Sequence, residues 1–228
     1  YNTAQTAKKN AETARAKALE AYEKAQQDTA NYKAGDDYTT ITAQYKAAQD
    51  AVTKAENNAK DITKYQNGNT KGHSGTITLS GNSYVIDSKT YKPYNELTGT
   101  DLTAVQASLD KLQEEGALSS TFDSSNIYYD STNKNFIFKD DINKALASSK
   151  ADVNIPLYLT GDSKTEGSVK AKAKGLDDAK TAANTALVEI TPSYNAVTEE
   201  LQEYENKESA AKAAYDIACL LYTSPSPR

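Results

Sequence analysis

The chain has 228 residues and a mass of 24.6 kDa, which is enough for one or two domains with a hydrophobic core. Only 38% of the residues are hydrophobic and the mean hydropathy is −0.73, so we expect a soluble protein. No apolar run approaches the roughly 18 to 20 residues of a membrane span, and no targeting segment is visible. The 26 basic and 31 acidic residues give a net charge of −5 without a basic stripe, which excludes nucleic acid as an expected partner.

Cysteine and histidine are nearly absent, and this excludes several kinds of site. Cys219 is the only cysteine, so the chain has no intramolecular disulfide and no thiolate metal cluster. His73 is the only histidine, which excludes a zinc site built on a histidine pair. We expect no metal and no other cofactor. Because the chain neither begins with Met nor contains one, we expect an internal fragment of a longer product or a processed form.

The last ten residues, 219–228, differ abruptly in composition from the helical pattern before them. They read CLLYTSPSPR, which resembles the translated read-through of a sequencing adapter found at the end of many metagenomic reading frames. The resemblance implies that the natural protein is represented by residues 1–218 and that Cys219 has no redox role. A native disordered tail is the alternative.

The N-terminal arm, residues 1–65, has apolar residues at alternating spacings of three and four, the pattern of a coiled coil. Its first seam is Ala4, Ala7, Ala11, Ala14, Ala18, Ala21 and Ala25, and its second is Tyr38, Ile41, Tyr45, Ala48, Val52, Ala55, Ala59 and Ile62. Between them, Gly35 can end a helix and Asp36 or Asp37 can cap a new one. We therefore predict an antiparallel hairpin that turns near residue 35, with one long helix carrying a discontinuity as the alternative.

The C-terminal arm, residues 175–218, continues the same spacing on both sides of Pro192. Its seam is Leu176, Ala179, Ala183, Leu187, Ile190, Tyr194, Val197, Leu201, Tyr204, Ala211, Tyr215 and Ala218, interrupted by Glu208. Proline removes a backbone donor and clashes with the preceding turn, so we expect the helix to kink or to restart with Thr191 as its cap.

The charges of the two arms favour their association. Residues 1–65 carry ten basic and nine acidic side chains, a net charge of +1, whereas residues 175–218 carry three basic and nine acidic, a net charge of −6. Salt screens such charges, so they select register more than they add stability. We predict an α+β fold with an antiparallel coiled-coil helical stalk, a three-helix bundle from both chain ends. For residues 1–30, a loose Ala-rich helix stabilised only in a larger oligomer is the alternative.

Residues 66–174 change to an apolar period of two, which predicts a small α+β head domain inserted between the arms. A Gly- and Asn-rich linker over residues 66–75 marks the boundary. The expected strands are 76–79 and 84–87 in one hairpin, 127–129 and 135–138 in a second, and 153–159 and 168–173. A helix should run through Leu102, Val105, Leu109 and Leu112 to Gly116, and a helical turn over 142–146.

The oxygen- and nitrogen-rich segments of the head domain favour structural roles. His73 lies in the linker with no second ligand type beside it, which favours a solvated side chain. Residues 130–135 have the composition of a calcium loop, but Lys134 occupies a ligand position and no terminal Glu follows. This segment is therefore interpreted as a polar turn.

Two pairs of acids precede helical patterns, and we interpret them as helix caps: Asp140–Asp141 and Asp177–Asp178. The chain has no phosphate-binding glycine loop and no nucleophile elbow, and its serines lack a histidine that could activate them. We expect no enzymatic function. A hydrolase with a carboxylate site in the head domain is the alternative, because any two of the 31 acids could converge in the fold.

Tyrosine is unusually abundant, with 16 residues against three Phe and no Trp. Tyrosines on the arms are expected to fill space opposite alanines. Six tyrosines of the head domain are the candidate partner-binding residues: Tyr84, Tyr91, Tyr94, Tyr128, Tyr129 and Tyr158. Tyr128 and Tyr129 point to opposite faces of a strand, so we expect at least one to be exposed. The alternative is a set of ordinary half-buried strand tyrosines.

Together these features predict a non-enzymatic bacterial cell-surface or secreted protein whose stalk presents a head domain to a protein or glycan partner. Terminal helices around a β-rich middle resemble the architecture of flagellin-type filament subunits and of type III secretion tip proteins, and the Ala-rich seam is similar to coiled regions of Gram-positive surface adhesins. The resemblance implies, as an alternative, a filament, appendage or virion subunit that associates through its helical arms.

Overall fold

The computed structural model describes residues 2–223, with side chains through residue 221, and shows a mixed helical and sheet protein. The helices are α1 (Asn2–Ala34), α2 (Asp36–Lys60), α3 (Gly99–Glu114), α4 (Lys139–Leu146) and α5 (Val169–Thr223). The strands are β1 (Gly68–Gly72), β2 (Thr78–Ser80), β3 (Ser83–Ile86), β4 (Lys89–Pro93), β5 (Ile127–Asp130), β6 (Asn135–Phe138) and β7 (Val153–Leu159). Three short 3₁₀ helices cover Ile62–Tyr65, Tyr94–Glu96 and Ser124–Asn126. None of the described helices is long and apolar enough to cross a membrane.

The chain divides into two compact units. The first, called the helical unit here, comprises Tyr1–Asp50 and Thr185–Arg228, and the second, called the sheet unit, comprises Ala51–Asn184. Both ends of the chain therefore contribute to the helical unit, and one continuous middle segment forms the sheet unit.

In the helical unit, the C-terminal helix packs antiparallel on both N-terminal helices. Three tyrosine pairs define the register: Tyr22 with Tyr215, Tyr32 with Tyr204, and Tyr45 with Tyr194. As the residue number increases from α1 to α2, the residue number of the partner on α5 decreases. Lys33 and Glu205 add a cross-helix ion pair of 2.8 Å at the same register.

This register contradicts the hairpin predicted near residue 35. In a hairpin, Tyr45 would lie beside about residue 25 and would face the same part of α5 as Tyr22, but its partner is Tyr194. The alternative of one helical path with a discontinuity is the observed one, and a three-helix bundle does not form in this unit. The reason is that Gly35 keeps helical hydrogen bonds on both sides: its amide donates to Tyr32 at 3.0 Å, and its carbonyl accepts from the Thr39 amide at 3.1 Å.

The predicted alanine seam of α1 is only half correct. Ala11, Ala18 and Ala25 are partly buried, whereas the other four positions are exposed: Ala4, Ala7, Ala14 and Ala21. Between residues 18 and 32 the seam instead passes through Tyr22 and Thr29, which keep the three and four spacing and bring larger side chains to α5. If the register of Tyr22 and Tyr215 is continued, the end of α5 lies opposite about residue 14 of α1. The turns of α1 before residue 14 therefore have no opposing residue within the described part of α5.

Helix α5 runs unbroken through Pro192, so the predicted restart at Thr191 is wrong. Proline cannot donate to the carbonyl of Val188, but both residues lie on the exposed side of α5, where Val188 is 70% exposed and Pro192 is also exposed. Water can satisfy the freed carbonyl there. The Thr191 hydroxyl donates to the Leu187 carbonyl at 2.6 Å and so acts inside the helix instead of capping it.

The start of α5 also corrects two predictions. Residues 168–173 were expected to form a strand, but Ser168 caps the helix, and its hydroxyl accepts from the Ala171 amide at 3.1 Å. Asp177 and Asp178 consequently lie inside α5 and are not caps. They pair with Lys180 at 2.6 Å and with Lys174 at 2.6 Å, respectively. Asp140 and Asp141 lie in the first turn of α4, where their charges suit the helix dipole, but they do not cap the helix: its N-cap is Phe138, which makes no side-chain cap hydrogen bond.

The sheet unit contains a seven-stranded antiparallel sheet in the order β1-β7-β6-β5-β4-β3-β2. Both predicted hairpins are confirmed, as β2 with β3 and β5 with β6, and Gly81 takes a φ of 60° in the first turn. The predicted strand at 153–159 is β7. The predicted linker at 66–75 is wrong, because residues 68–72 form β1 on the edge beside β7 and bury Thr70 and Gly72.

Hydrophobic clusters cover both faces of the sheet. One cluster joins α3 and the start of α5 to the sheet and includes Tyr65, Leu112, Phe136 and Val169, and the other includes Ile86, Ile137, Ile142 and Ile155. Helix α3 ends as predicted at Gly116, whose φ of 73° lets the Ala117 amide donate to the Leu112 carbonyl at 2.8 Å. Residues of one strand therefore alternate between two buried environments.

Candidate functional site

The six candidate tyrosines of the sheet unit do not form an exposed binding face. Tyr91 and Tyr129 are completely buried, and Tyr158 and Tyr128 are 2% and 8% exposed. Only Tyr84 and Tyr94 are partly exposed. Tyr84 packs edge-on against Tyr128 with ring centroids 4.8 Å apart, and the Tyr94 hydroxyl donates to Gln106. These tyrosines therefore mainly fill the core and do not form a common binding surface.

Tyr128 and Tyr129 show why the expected exposure fails. They point to opposite faces of β5, as the strand geometry requires, but each face carries its own cluster. Burial raises the pKa of Tyr129 and of Tyr128, and it raises the pKa of Tyr91 and Tyr158 to about 12. These hydroxyls therefore stay protonated at neutral pH.

A polar cleft of about 320 Å³ opens in the sheet unit between two turns. One side is formed by the β3–β4 turn and β4, and the other by the β5–β6 turn. Its lining consists almost entirely of hydroxyl, amide, carboxylate and ammonium side chains: Ser88, Lys89, Thr90, Lys92, Asp130, Ser131, Thr132 and Asn133. Polar side chains from two separate turns converge on this cleft, and we treat it as the candidate site.

The first wall is a tight turn at Asp87 and Ser88. Ile86 pairs with Lys89, and the two intervening residues have φ values of 49° and 59°, the left-handed conformation of a type I′ hairpin turn. Strand β4 then alternates, so that Thr90 and Lys92 point outwards while Tyr91 is buried. The buried ring anchors the strand that carries the two exposed side chains.

The second wall is held by the carboxylate of Asp130, which is 3% exposed. It accepts from the Thr132 amide at 2.9 Å, from the Asn133 amide at 3.2 Å and from the Asn133 side chain at 2.6 Å. The segment is thus a polar turn, as interpreted from the sequence. The end of this turn is also held in place, because the Lys134 carbonyl accepts a hydrogen bond from the Thr160 amide at 2.8 Å.

The lining of the cleft carries two lysines and one carboxylate, so its net charge is positive, although Asp101 just outside interacts with Lys92. Lys89 and Lys92 bring two ammonium groups to the lining, and Asp130, the carboxylate of the lining, has its oxygens engaged by the turn. Just outside, Asp101 accepts from Lys134 at 3.1 Å, and hydrogen bonds from Ser131 and then Lys134 lower the pKa of Asp101. Such a set of donors suits an anionic ligand with several hydroxyl groups more than an apolar one.

Only one wall of this cleft was indicated by the sequence. Residues 130–135 stood out through their composition, but β4 was not predicted, because two lysines and a proline in KTYKP are poor strand formers. His73, the other candidate for chemistry, is partly exposed, and its Nδ1 accepts from the Gly75 amide at 3.1 Å. Within residues 2–223, no group of three or more acidic, histidine or cysteine side chains has the arrangement of a metal site.

A buried charge cluster beside α3 was also not predicted. Glu115 has a side chain only 4% exposed and pairs with Lys111 at 2.7 Å and Lys180 at 2.8 Å. Asp177 completes the cluster through Lys180 at 2.6 Å and Lys111 at 3.4 Å. Every charge in it has an opposite partner, so the cluster joins α3 to α5 and offers no free group for catalysis.

Comparison of the chain with protein-family models, with curated proteins and with solved structures finds no significant match, so the residues described above carry the functional argument alone.

Proposed function

We propose that the protein is a non-enzymatic bacterial cell-surface or secreted protein in which a coiled-coil stalk carries the sheet unit as a head domain for adhesion. The order of the chain supports this division, since the sheet unit is inserted between the two segments of the helical unit. The bacterial and extracellular assignment rests on composition, namely the scarcity of Cys, Met and Trp beside abundant Tyr.

The pattern of burial on α5 supports the coiled-coil part of the proposal. Within the helical unit, less exposed residues recur at alternating spacings of four and three: Leu187, Ile190, Tyr194, Val197, Leu201, Tyr204, Glu208, Ala211, Tyr215 and Ala218. This is the a and d spacing of a left-handed coiled coil. Helix α5 therefore pairs first with α2 and then with α1 along its length, instead of packing against both at the same level as in the expected three-helix bundle.

The polar cleft is the observation that carries the adhesion proposal. Lys89, Lys92 and the hydroxyls of Ser88 and Thr90 serve neither hydrophobic cluster, yet they face the polar β5–β6 turn across one space. A volume of about 320 Å³ is suited to a terminal sugar and its neighbour. We propose an acidic glycan as the ligand, with its carboxylate or sulfate at the lysines and its ring hydroxyls at the serine, threonine and asparagine side chains.

The test is binding to oligosaccharides that end in neutral, carboxylated or sulfated sugars, measured by calorimetry or on a glycan array. We expect binding of acidic but not neutral termini, and a loss of about tenfold or more in affinity for Lys89→Gln or Lys92→Gln. Lys71→Gln is the matched control, since Lys71 is also an exposed strand lysine but lies outside the cleft. Binding that is absent, or equal in all three variants, would contradict the proposal.

Assembly into a filament or appendage is a second candidate, favoured by the first turns of α1. The exposed alanines there, Ala4 and Ala7, extend the seam of the α1–α5 interface without an opposing residue in the described part of α5. Sedimentation velocity over a range of concentrations tests this. Polymers that disappear in the double variant Ala4→Glu and Ala7→Glu would support assembly, and a monomer at all concentrations would exclude it for this chain.

A further inference from the structure

Three pairs of tyrosines stack across the α1–α5 and α2–α5 contacts. The ring centroids of Tyr22 and Tyr215 are 6.3 Å apart, and those of Tyr32 and Tyr204 are 4.9 Å apart. Tyr45 and Tyr194 are the closest pair, with centroids 3.9 Å apart and ring planes only 7° from parallel. The sequence predicted tyrosines that fill space opposite alanines, but in all three pairs a tyrosine faces another tyrosine.

The composition of the chain makes these rings its main oxidisable groups. It contains 16 Tyr, no Trp, no Met and a single Cys. Methionine and cysteine normally take up oxidising equivalents first, and tryptophan competes with tyrosine for one-electron oxidation. Residues 1–218 contain no methionine, cysteine or tryptophan, so one-electron oxidation of the helical unit should produce tyrosyl radicals.

We propose that Tyr45 and Tyr194 form a dityrosine cross-link between α2 and α5 when a haem peroxidase and hydrogen peroxide are present. Each phenol loses one electron and one proton to give a phenoxyl radical. The two radicals couple through the ring carbons ortho to the hydroxyls, and the ring hydrogens at those carbons move to the oxygens as both rings become aromatic again. The new carbon–carbon bond replaces two hydrogens in all, and one hydrogen peroxide is reduced to two waters.

The geometry selects this pair over the other two. Radical coupling requires the two rings to meet within the short lifetime of the radicals, and Tyr45 and Tyr194 are already in ring-to-ring contact. Both are partly exposed, so small oxidants or mediators reach them, in contrast to the completely buried Tyr91 and Tyr129. The link would also join positions far apart in the chain, which restricts the unfolded state and should raise the thermal midpoint of the helical unit.

The experiment treats the full chain, carrying Cys219→Ser, with peroxidase and peroxide at low protein concentration. Monomer from gel filtration is examined for dityrosine fluorescence, for the loss of two hydrogens by intact mass, and by peptide mapping. We expect the Tyr45–Tyr194 peptide to be the main cross-linked product. Its yield should fall at least severalfold when the chain is unfolded in urea before oxidation.

Matched variants make the assignment specific. Phenylalanine preserves the stack, so Tyr45→Phe and Tyr194→Phe should each keep the helical content, measured by circular dichroism, and abolish this product. Tyr84→Phe, which removes a partly exposed tyrosine of the sheet unit, should leave the yield unchanged. A native monomer that gives no intramolecular link, or that gives other tyrosine pairs in equal yield to Tyr45–Tyr194, would overturn the proposal.

Discussion

The hydroxyl of Tyr32 on α1 donates a hydrogen bond to the backbone carbonyl of Val197 on α5, with 3.0 Å between the oxygens. The same hydroxyl lies 3.3 Å from a carboxylate oxygen of Glu200, and the ring contacts Tyr38 and Tyr204. Burial, followed by the charge of Glu200, raises the pKa of Tyr32. One side chain next to the Gly35 discontinuity therefore ties both N-terminal helices to α5.

The first prediction concerns this hydroxyl. Tyr32→Phe keeps the ring contacts but removes the donor to Val197, so we expect the free energy of unfolding to fall by about 0.5 to 1.5 kcal/mol. Urea unfolding followed by circular dichroism measures the change. Tyr22→Phe is the control, since the Tyr22 hydroxyl only accepts from the exposed Gln26 on its own helix, and it should cost much less. Equal losses in the two variants would contradict a specific role for Tyr32.

The second prediction concerns the buried charge cluster of the sheet unit. Glu115→Gln leaves Lys111 and Lys180 without the more buried of their two shared carboxylates, and because both lysines are partly exposed we expect a loss of about 1 to 3 kcal/mol. Replacing Glu115 by Leu and both lysines by Met, together with Asp177→Asn, should recover most of that loss, because no member of the cluster then keeps an unpaired charge. Denaturant unfolding tests both statements. A neutral single variant would mean that Glu115 is not desolvated as described.

The third prediction uses two glycines in opposite environments. Gly116 has a φ of 73° at the end of α3, so Gly116→Ala should destabilise the protein by about 1 kcal/mol. Gly175 lies within α5, and a Cβ added there would meet nothing within 4 Å, so Gly175→Ala should stabilise by about 0.5 to 1 kcal/mol. Thermal midpoints of the two variants should move in opposite directions. Shifts of the same sign would show that one backbone assignment is wrong.

The fourth prediction concerns acid. The hydrogen bond from Lys180, aided by the charge of Lys111, lowers the pKa of Asp177 below its ordinary value of 3.8. The folded state therefore binds this proton less readily than the unfolded state, and the contribution of Asp177 is complete above the unfolded pKa and is lost as pH falls through the folded pKa. Unfolding free energies between pH 6 and pH 2 should decline less steeply in Asp177→Asn than in the parent. Identical slopes would contradict the proposed role of this pair.

Local patterns in the sequence were sufficient for the elements whose signals are local. The hairpin at Gly81, β7 at 153–159 and the end of α3 at Gly116 were predicted because turn glycines and apolar periods determine them. Strand β1 was missed because GNTKG forms a strand through its pairing with β7, which the sequence of the segment does not reveal.

Long-range relationships account for the remaining differences. The path at Gly35 depends on which part of α5 faces α2, and periodicity alone is the same for a hairpin and for two helices in line. Likewise, strand alternation correctly separated Tyr128 from Tyr129, but it could not show that both faces of the sheet are covered. The polar cleft combines β4 with a distant turn, so only half of its lining was foreseeable.

The central structural claim is that α1 and α2 run in line against a single antiparallel α5. The most direct measurement is the spin-label distance between Ala21→Cys and Ala47→Cys in a Cys219→Ser background, at two exposed positions on α1 and α2. At 1.5 Å per residue we expect a distance of about 39 Å. A hairpin at Gly35 would place the two positions side by side, and a distance below about 20 Å would contradict the claim.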